Sequence, residues 1–114
     1  MVTIYHNPRC SKSRQTLALI KEKEIQPEVV LYLETPPDSE TLKELISKLS
    51  ITPRELLRKG EDDYKANNLK DTTLTDNDLI KAMVKHPKLI ERPIVINGDK
   101  AVLGRPPENI LDII

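Results

Sequence analysis

Cys10 is the only cysteine in the chain, and its surroundings are those of a working thiol. Asn7-Pro8 ahead of it reads as a turn, and Ser11 opens a stretch to Glu24 free of glycine and proline, which reads as a helix. An unperturbed thiol, with a pKa of about 8.5, is only a few per cent thiolate at neutral pH, so a nucleophilic cysteine needs help. A helix N-terminus gives it: the unpaired N–H groups of Ser11, Lys12 and Ser13 and the helix dipole favour an anion. Lys12 and Arg14 add positive charge nearby, and the same N–H groups can hold the oxygens of a bound oxyanion. A lone cysteine is more often a small buried hydrophobe. Here the flanks Pro8, Arg9, Ser11, Lys12 and Ser13 are polar, and a strand-to-helix turn is a poor place for a core residue.

The elements that must hold this thiol follow from the pattern of apolar residues. Val2-Thr3-Ile4-Tyr5 is a β-branched and aromatic run, expected as a strand that ends at His6 and the turn. In the helix after Cys10, Leu17 and Ile20 share one face, and Lys21-Glu22-Lys23-Glu24 is its solvated end. Glu28 to Leu33, with Val29-Val30-Leu31 in sequence, predicts a strand buried on both faces and parallel to the first, with a right-handed crossover. Leu42, Leu45, Ile46 and Leu49 form the stripe of a helix begun near Ser39. Thr52, Pro53 and Glu55 mark a capped helix start, stopped by Gly60. Between Glu61 and Asp71 only Tyr64 and Leu69 are expected as anchors. Thr75 caps a further helix with Leu79, Ile80, Met83 and Val84 inward, limited by Pro87. Ile94-Val95-Ile96 and Ala101-Val102-Leu103 flank Asn97-Gly98 and predict a hairpin. Pro107 then starts a terminal helix with Ile110, Leu111 and Ile114 on its inner side. The expected whole is one α/β domain over 1–114, β-α-β and then β-β-α, with a helical insertion at about 38–87.

Composition narrows the chemistry. With 114 residues the chain suits one domain, and with neither Phe nor Trp its core must be Leu, Ile and Val. Eighteen basic residues balance 18 acidic ones, for a net charge of +0. That removes the broad basic field of a nucleic-acid or anionic-membrane binder, and too few aromatics remain to stack bases. No run approaches a membrane span, and no apolar leader precedes the first strand. A lone thiol without an export signal predicts a cytoplasmic protein. One cysteine excludes an internal disulfide and a multi-thiolate zinc site, and His6 with Cys10 offers too few ligands for any metal.

The segment His6-Asn7-Pro8-Arg9-Cys10-Ser11-Lys12-Ser13-Arg14 resembles the active-site segment of the ArsC-like arsenate reductases, the glutathione- and glutaredoxin-coupled branch of the thioredoxin-like fold. Leu31-Tyr32-Leu33-Glu34, Glu55-Leu56-Leu57-Arg58, Glu91-Arg92-Pro93-Ile94-Val95 and Gly104-Arg105-Pro106 fall in the family's order. The resemblance therefore spans nearly the whole chain.

That resemblance implies that Cys10 is the nucleophile, attacking arsenate to give a thiolate–arsenic adduct. It implies that Arg58, Arg92 and Arg105 bind the oxyanion, a task suited to guanidinium forks that stay charged at any relevant pH. His6 matches a family position tied to activity, with stabilising the thiolate, orienting the loop and an ordinary structural hydrogen bond as its open roles. Ser13 stands where dithiol relatives carry a resolving cysteine. Its hydroxyl either donates to the thiolate or belongs only to the first helical turn. A serine cannot close a disulfide, so the second thiol must come from outside, with glutathione as co-substrate and glutaredoxin as partner. Arg92-Pro93 matches the cis-proline that faces the thiol in thioredoxin-like folds. Relatives commonly carry Gly-Thr after the cysteine where this chain has Ser11-Lys12, which bears on the physiological substrate. The expected protein is a monomer with no tightly bound cofactor and no metal.

Two other readings share the fold. A glutathione-dependent thiol-disulfide reductase would use Cys10 and Ser13 without needing the three arginines. A regulatory protein resembling the Spx-type polymerase partners would need a Cys-x-x-Cys switch, which Ser13 interrupts. A cysteine phosphatase would place an arginine six residues after the nucleophile, where this chain has Thr16.

Overall fold

Alternation of apolar side chains makes Val2–Tyr5 the strand β1, which buries Val2 and Ile4 and turns Thr3 and Tyr5 the other way. The computed structural model describes residues 1–114, and the chain falls into two bodies, Met1–Thr35 with Arg92–Ile114, and Pro36–Glu91. No helix in it is long and apolar enough to cross a membrane.

In the first body, β1 is followed by α1 (Ser11–Glu22), β2 (Glu28–Val30), β3 (Ile94–Asn97), β4 (Lys100–Leu103) and a 3-10 helix over Pro107–Asp112. The sheet order is β2-β1-β3-β4. β1 runs parallel to β2, with Ile4 opposite Val29, and antiparallel to β3, with Ile4 opposite Val95; β3 and β4 are also antiparallel. Val2, Ile4, Ile20, Val95 and Ile110 form the core, with Leu17, Leu19, Ile25, Val102, Ile113 and Ile114 packed against it. Each fully buried isoleucine contributes about 1.5–3 kcal/mol, which suffices to fix α1 and the 3-10 helix on the sheet.

Several boundaries differ from expectation. β2 stops at Val30, and Val29 is 42% exposed. It is an edge strand rather than one buried on both faces, because nothing pairs on its outer side. Beyond it, Glu34 and Thr35 donate their N–H groups to Leu31 O and close a turn, with Tyr32 buried. α1 ends at Glu22, where Lys23 N–H bonds Ile20 O and Glu24 takes a left-handed φ of 60°. In the hairpin Asn97 remains in the strand, opposite Lys100, so Gly98-Asp99 makes the turn. Positive φ falls at Gly98 (63°) and not at Asn97, the pattern of a II′ turn. Asn97 Nδ2 instead donates to Ile113 O at 2.6 Å. The last element is a 3-10 helix, with 3.0 residues per turn. Ile110 is buried but Leu111, expected inward, is 45% exposed.

The second body is helical: α2 (Ser39–Leu49), α3 (Pro53–Leu56), α4 (Asp62–Ala66), α5 (Asp76–Lys85) and a 3-10 turn over Pro87–Leu89. Asp38 caps α2, accepting from Thr41 N–H at 2.8 Å. Thr52 with Glu55 and Thr75 with Asp78 each complete a reciprocal capping box. α3 is a single turn that ends at Leu56, before Gly60, because Leu57 leaves the helix to bridge Ile90. α5 packs on both α2 and α3, burying Leu79, Ile80 and Met83 while Val84 is half-buried. Leu69 is buried as expected, whereas Tyr64 is only half-buried.

Candidate active site

The turn at Asn7-Pro8 delivers Cys10 to the start of α1. Cys10 N–H donates to Asn7 O at 3.0 Å, Asn7 Oδ1 accepts from Arg9 N–H at 3.0 Å, and Arg14 N–H returns to Cys10 O at 3.0 Å. Cys10 is thus the N-cap residue of α1, whose first turn holds no acidic side chain. The side chain is buried, at 8% exposure. Burial by itself pushes the thiol pKa up. It is overcome by the Ser13 N–H, the charge of Arg92, the Lys12 N–H and a hydrogen bond from the Arg92 side chain, so the thiol sits below its ordinary value. Two main-chain N–H groups and the Arg92 guanidinium thus favour the thiolate over the thiol.

The supporting residues divide by what they touch. Ser13, fully buried, has its hydroxyl 2.6 Å from His6 Nδ1 and accepts from Asn7 N–H at 3.0 Å. It serves Cys10 through its main-chain N–H, and its hydroxyl ties the loop together. His6 is buried, and its pKa is lowered by burial first and then by the charges of Lys21 and Arg14. Lys12 likewise reaches the sulfur through its N–H, while its side chain is exposed. Arg14 donates from Nη1 to Pro8 O at 2.9 Å, bracing the loop. Only the charge of Arg92 is brought onto the thiol.

The Arg92–Pro93 bond is cis, as expected, and so is Arg105–Pro106, which the sequence did not disclose. Arg105 is exposed, with Nη1 3.5 Å from Arg92 O, which places the two arginine-bearing segments side by side. Arg58 belongs to the second body. There Nη1 lies 3.2 Å from Glu61 Oε2 and Nε 4.0 Å from Glu91 Oε1, while its N–H bonds Leu89 O at 2.8 Å. Beside the Cys10 loop, a cavity of about 280 Å³ is lined by His6–Arg9, Leu31, Leu33 and Glu34. No group of three or more His, Cys, Asp or Glu side chains is placed to hold a metal ion.

Two residues at the site escaped sequence reasoning. Thr16, fully buried, donates to Lys12 O at 2.8 Å and lies 3.3 Å from Gly104 O. Asn109 donates from Nδ2 to Leu103 O at 3.2 Å and Arg105 O at 3.1 Å, stapling the loop that carries Arg105.

Comparison with known proteins finds matches over nearly the whole chain. A family model described as the ArsC family matches residues 5–113. The chain is 58% identical over 114 residues to the uncharacterised protein YfgD of Escherichia coli K12, covering 99% of this chain and 96% of that one. It is 50% identical to an arsenate reductase of Haemophilus influenzae, covering 99% and 98%. Among solved structures, an arsenate reductase from Vibrio cholerae superposes with a TM-score of 0.97 at 52% identity, covering 99% and 97%.

Proposed function

The chain belongs to the ArsC family and has its thioredoxin-like α/β fold, and on that footing we propose that it reduces arsenate to arsenite through Cys10. The observation that carries this reading is the placement of one buried thiol as the N-cap residue of α1, with no acidic side chain in the first turn, where the Ser13 and Lys12 N–H groups and the Arg92 side chain favour its thiolate. Those donors stabilise a thiolate, and the cationic face they leave beside it attracts a doubly charged tetrahedral oxyanion.

In this reaction the Cys10 thiolate attacks arsenic and an arsenate oxygen leaves as water, forming a sulfur–arsenic bond. Arg92 and Arg105 hold the remaining oxygens, and the family resemblance implies an oxyanion-binding role for Arg58. Because Ser13 replaces a resolving cysteine, the further thiols come from glutathione and glutaredoxin. Overall, arsenate and two thiols give arsenite, one disulfide and water, so the thiols supply both electrons that take As(V) to As(III). The reaction suits a reducing cytoplasm.

The test is NADPH oxidation coupled through glutathione reductase, glutathione and glutaredoxin, with and without arsenate. Arsenate-dependent oxidation that disappears in Cys10→Ser is expected, since an alcohol is a poor nucleophile at neutral pH. Oxidation that ignores arsenate and instead consumes a mixed disulfide would replace this reading with a thiol-disulfide reductase.

A further inference from the structure

Thr16 presents a problem of accounting. It is a polar side chain with 0% exposure, and a buried hydroxyl without partners would be costly. Buried helical threonines commonly bond back to the carbonyl of the preceding turn, and the 2.8 Å contact with Lys12 O is of that kind. The second contact, 3.3 Å to Gly104 O, is not local: it reaches across 88 residues of sequence. One hydroxyl proton is shared between the two carbonyls, with the shorter arm on Lys12.

Each carbonyl belongs to a peptide group that matters to the site. The peptide of Lys12 O carries the Ser13 N–H, the largest of the influences that lower the Cys10 pKa against its burial. A hydrogen bond accepted by a peptide oxygen polarises the same peptide's N–H and strengthens it as a donor. The peptide of Gly104 O carries the nitrogen of Arg105, and Gly104 N–H donates to Pro93 O at 2.9 Å. Gly104 has no left-handed φ to justify a glycine. What it supplies is space: a Cβ there would lie 2.5 Å from Thr16 Oγ1, 2.8 Å from Pro93 Cγ and 3.0 Å from Thr16 Cγ2.

We propose that Thr16 is a positioning residue of the Cys10 site: its hydroxyl links the Lys12–Ser13 peptide at the start of α1 with the Gly104–Arg105 peptide, and Gly104 provides the room for that link. The start of α1 and the segments carrying Arg92 and Arg105 are thereby held in one register. The inference rests on the reading of Cys10 as the nucleophile.

The experiment is the pH dependence of Cys10 alkylation by iodoacetamide in the whole chain, compared across Thr16→Ser, Thr16→Ala and Thr16→Val. Thr16→Ser keeps the hydroxyl and loses the methyl, and Thr16→Ala differs from it by the hydroxyl alone. The expected result is a midpoint near wild type for Thr16→Ser and one raised by roughly half a unit for Thr16→Ala and Thr16→Val. At neutral pH that corresponds to alkylation slowed about threefold. Equal midpoints for Thr16→Ser and Thr16→Ala would overturn the proposal, even if Thr16→Val fails to fold. No arsenate enters this measurement, so its failure is distinct from a failure of the arsenate assay.

Discussion

The imidazole of His6 and the hydroxyl of Ser13 meet at 2.6 Å in a buried pair, and the same hydroxyl oxygen accepts the Asn7 N–H at 3.0 Å. Burial holds the His6 pKa below its ordinary value, so near neutral pH the ring is uncharged and Nδ1 is an acceptor when Nε2 carries the proton. In that tautomer Ser13 donates to His6, and in the other the ring donates to Ser13. In either case the hydroxyl ties His6 and Asn7 together within the loop.

Ser13→Ala consequently leaves a buried imidazole nitrogen and a main-chain N–H without their partner. The expected cost is about 1–3 kcal/mol of stability, read from urea unfolding. The alkylation midpoint of Cys10 should barely move, because the Ser13 N–H is retained. A midpoint raised as far as that of Arg92→Ala would mean that the hydroxyl, after all, serves the sulfur.

His6 also sets a pH dependence whose sign can be worked out. Its folded pKa is lowered, by burial first and then by Lys21 and Arg14, while the unfolded ring titrates near its ordinary value of about 6.5. Below that value the unfolded chain binds more protons than the folded one. The contribution to stability is thus fully present above about pH 6.5 and declines as pH falls toward the folded value. Urea midpoints measured from pH 7.5 to 5 should drop more steeply for wild type than for His6→Gln. Parallel curves would show that His6 titrates alike in both states.

Arg58 gives a prediction of another kind. Its side chain is about a quarter exposed and paired with Glu61 at 3.2 Å and, at the long distance of 4.0 Å, with Glu91, and single contacts of this kind at a partly exposed site are worth about 1 kcal/mol. Arg58→Ala should therefore unfold at nearly the wild-type urea concentration while its KM for arsenate rises. A large loss of stability with unchanged KM would make Arg58 a structural residue of the second body.

The thiol, its helix and the sequence of strands along the chain were legible because they depend on local signals: the Asn7-Pro8 turn, the run free of glycine and proline after Cys10, the β-branched and aromatic run of β1, and Asn97-Gly98 between the two apolar runs of the hairpin. The capped starts at Thr52 and Thr75 were legible for the same reason. What was not legible depended on the neighbours. Three consecutive apolar residues at Val29 suggested a strand buried on both faces, yet β2 lies at the sheet edge, where Val29 meets solvent. Asn97-Gly98 signalled the hairpin but could not show that Asn97 would stay in the strand to bond Ile113 O. Around the thiol, residue type alone could not distinguish Lys12 and Arg14, which look alike as cations. One contributes an N–H and the other braces Pro8. The pairing of Thr16 with Gly104 joins residues far apart in sequence, and no local pattern encodes it.

Arg92 supplies both a charge and a hydrogen bond to the Cys10 sulfur, so its removal should act on the thiol before any substrate is present. Without it, burial is opposed only by the two main-chain N–H groups. Arg92→Ala should therefore raise the Cys10 alkylation midpoint, with the rate at pH 7 falling by about tenfold if a charge-assisted bond of ordinary strength is lost. Arg92→Lys restores the charge but not the fork, so it should recover most of the alkylation rate and less of the affinity for a tetrahedral oxyanion. The arsenate KM of the lysine variant should thus stay raised while its thiol midpoint returns toward wild type. If both quantities recover together, charge alone accounts for Arg92; if neither does, the guanidinium geometry is required for the thiolate as well.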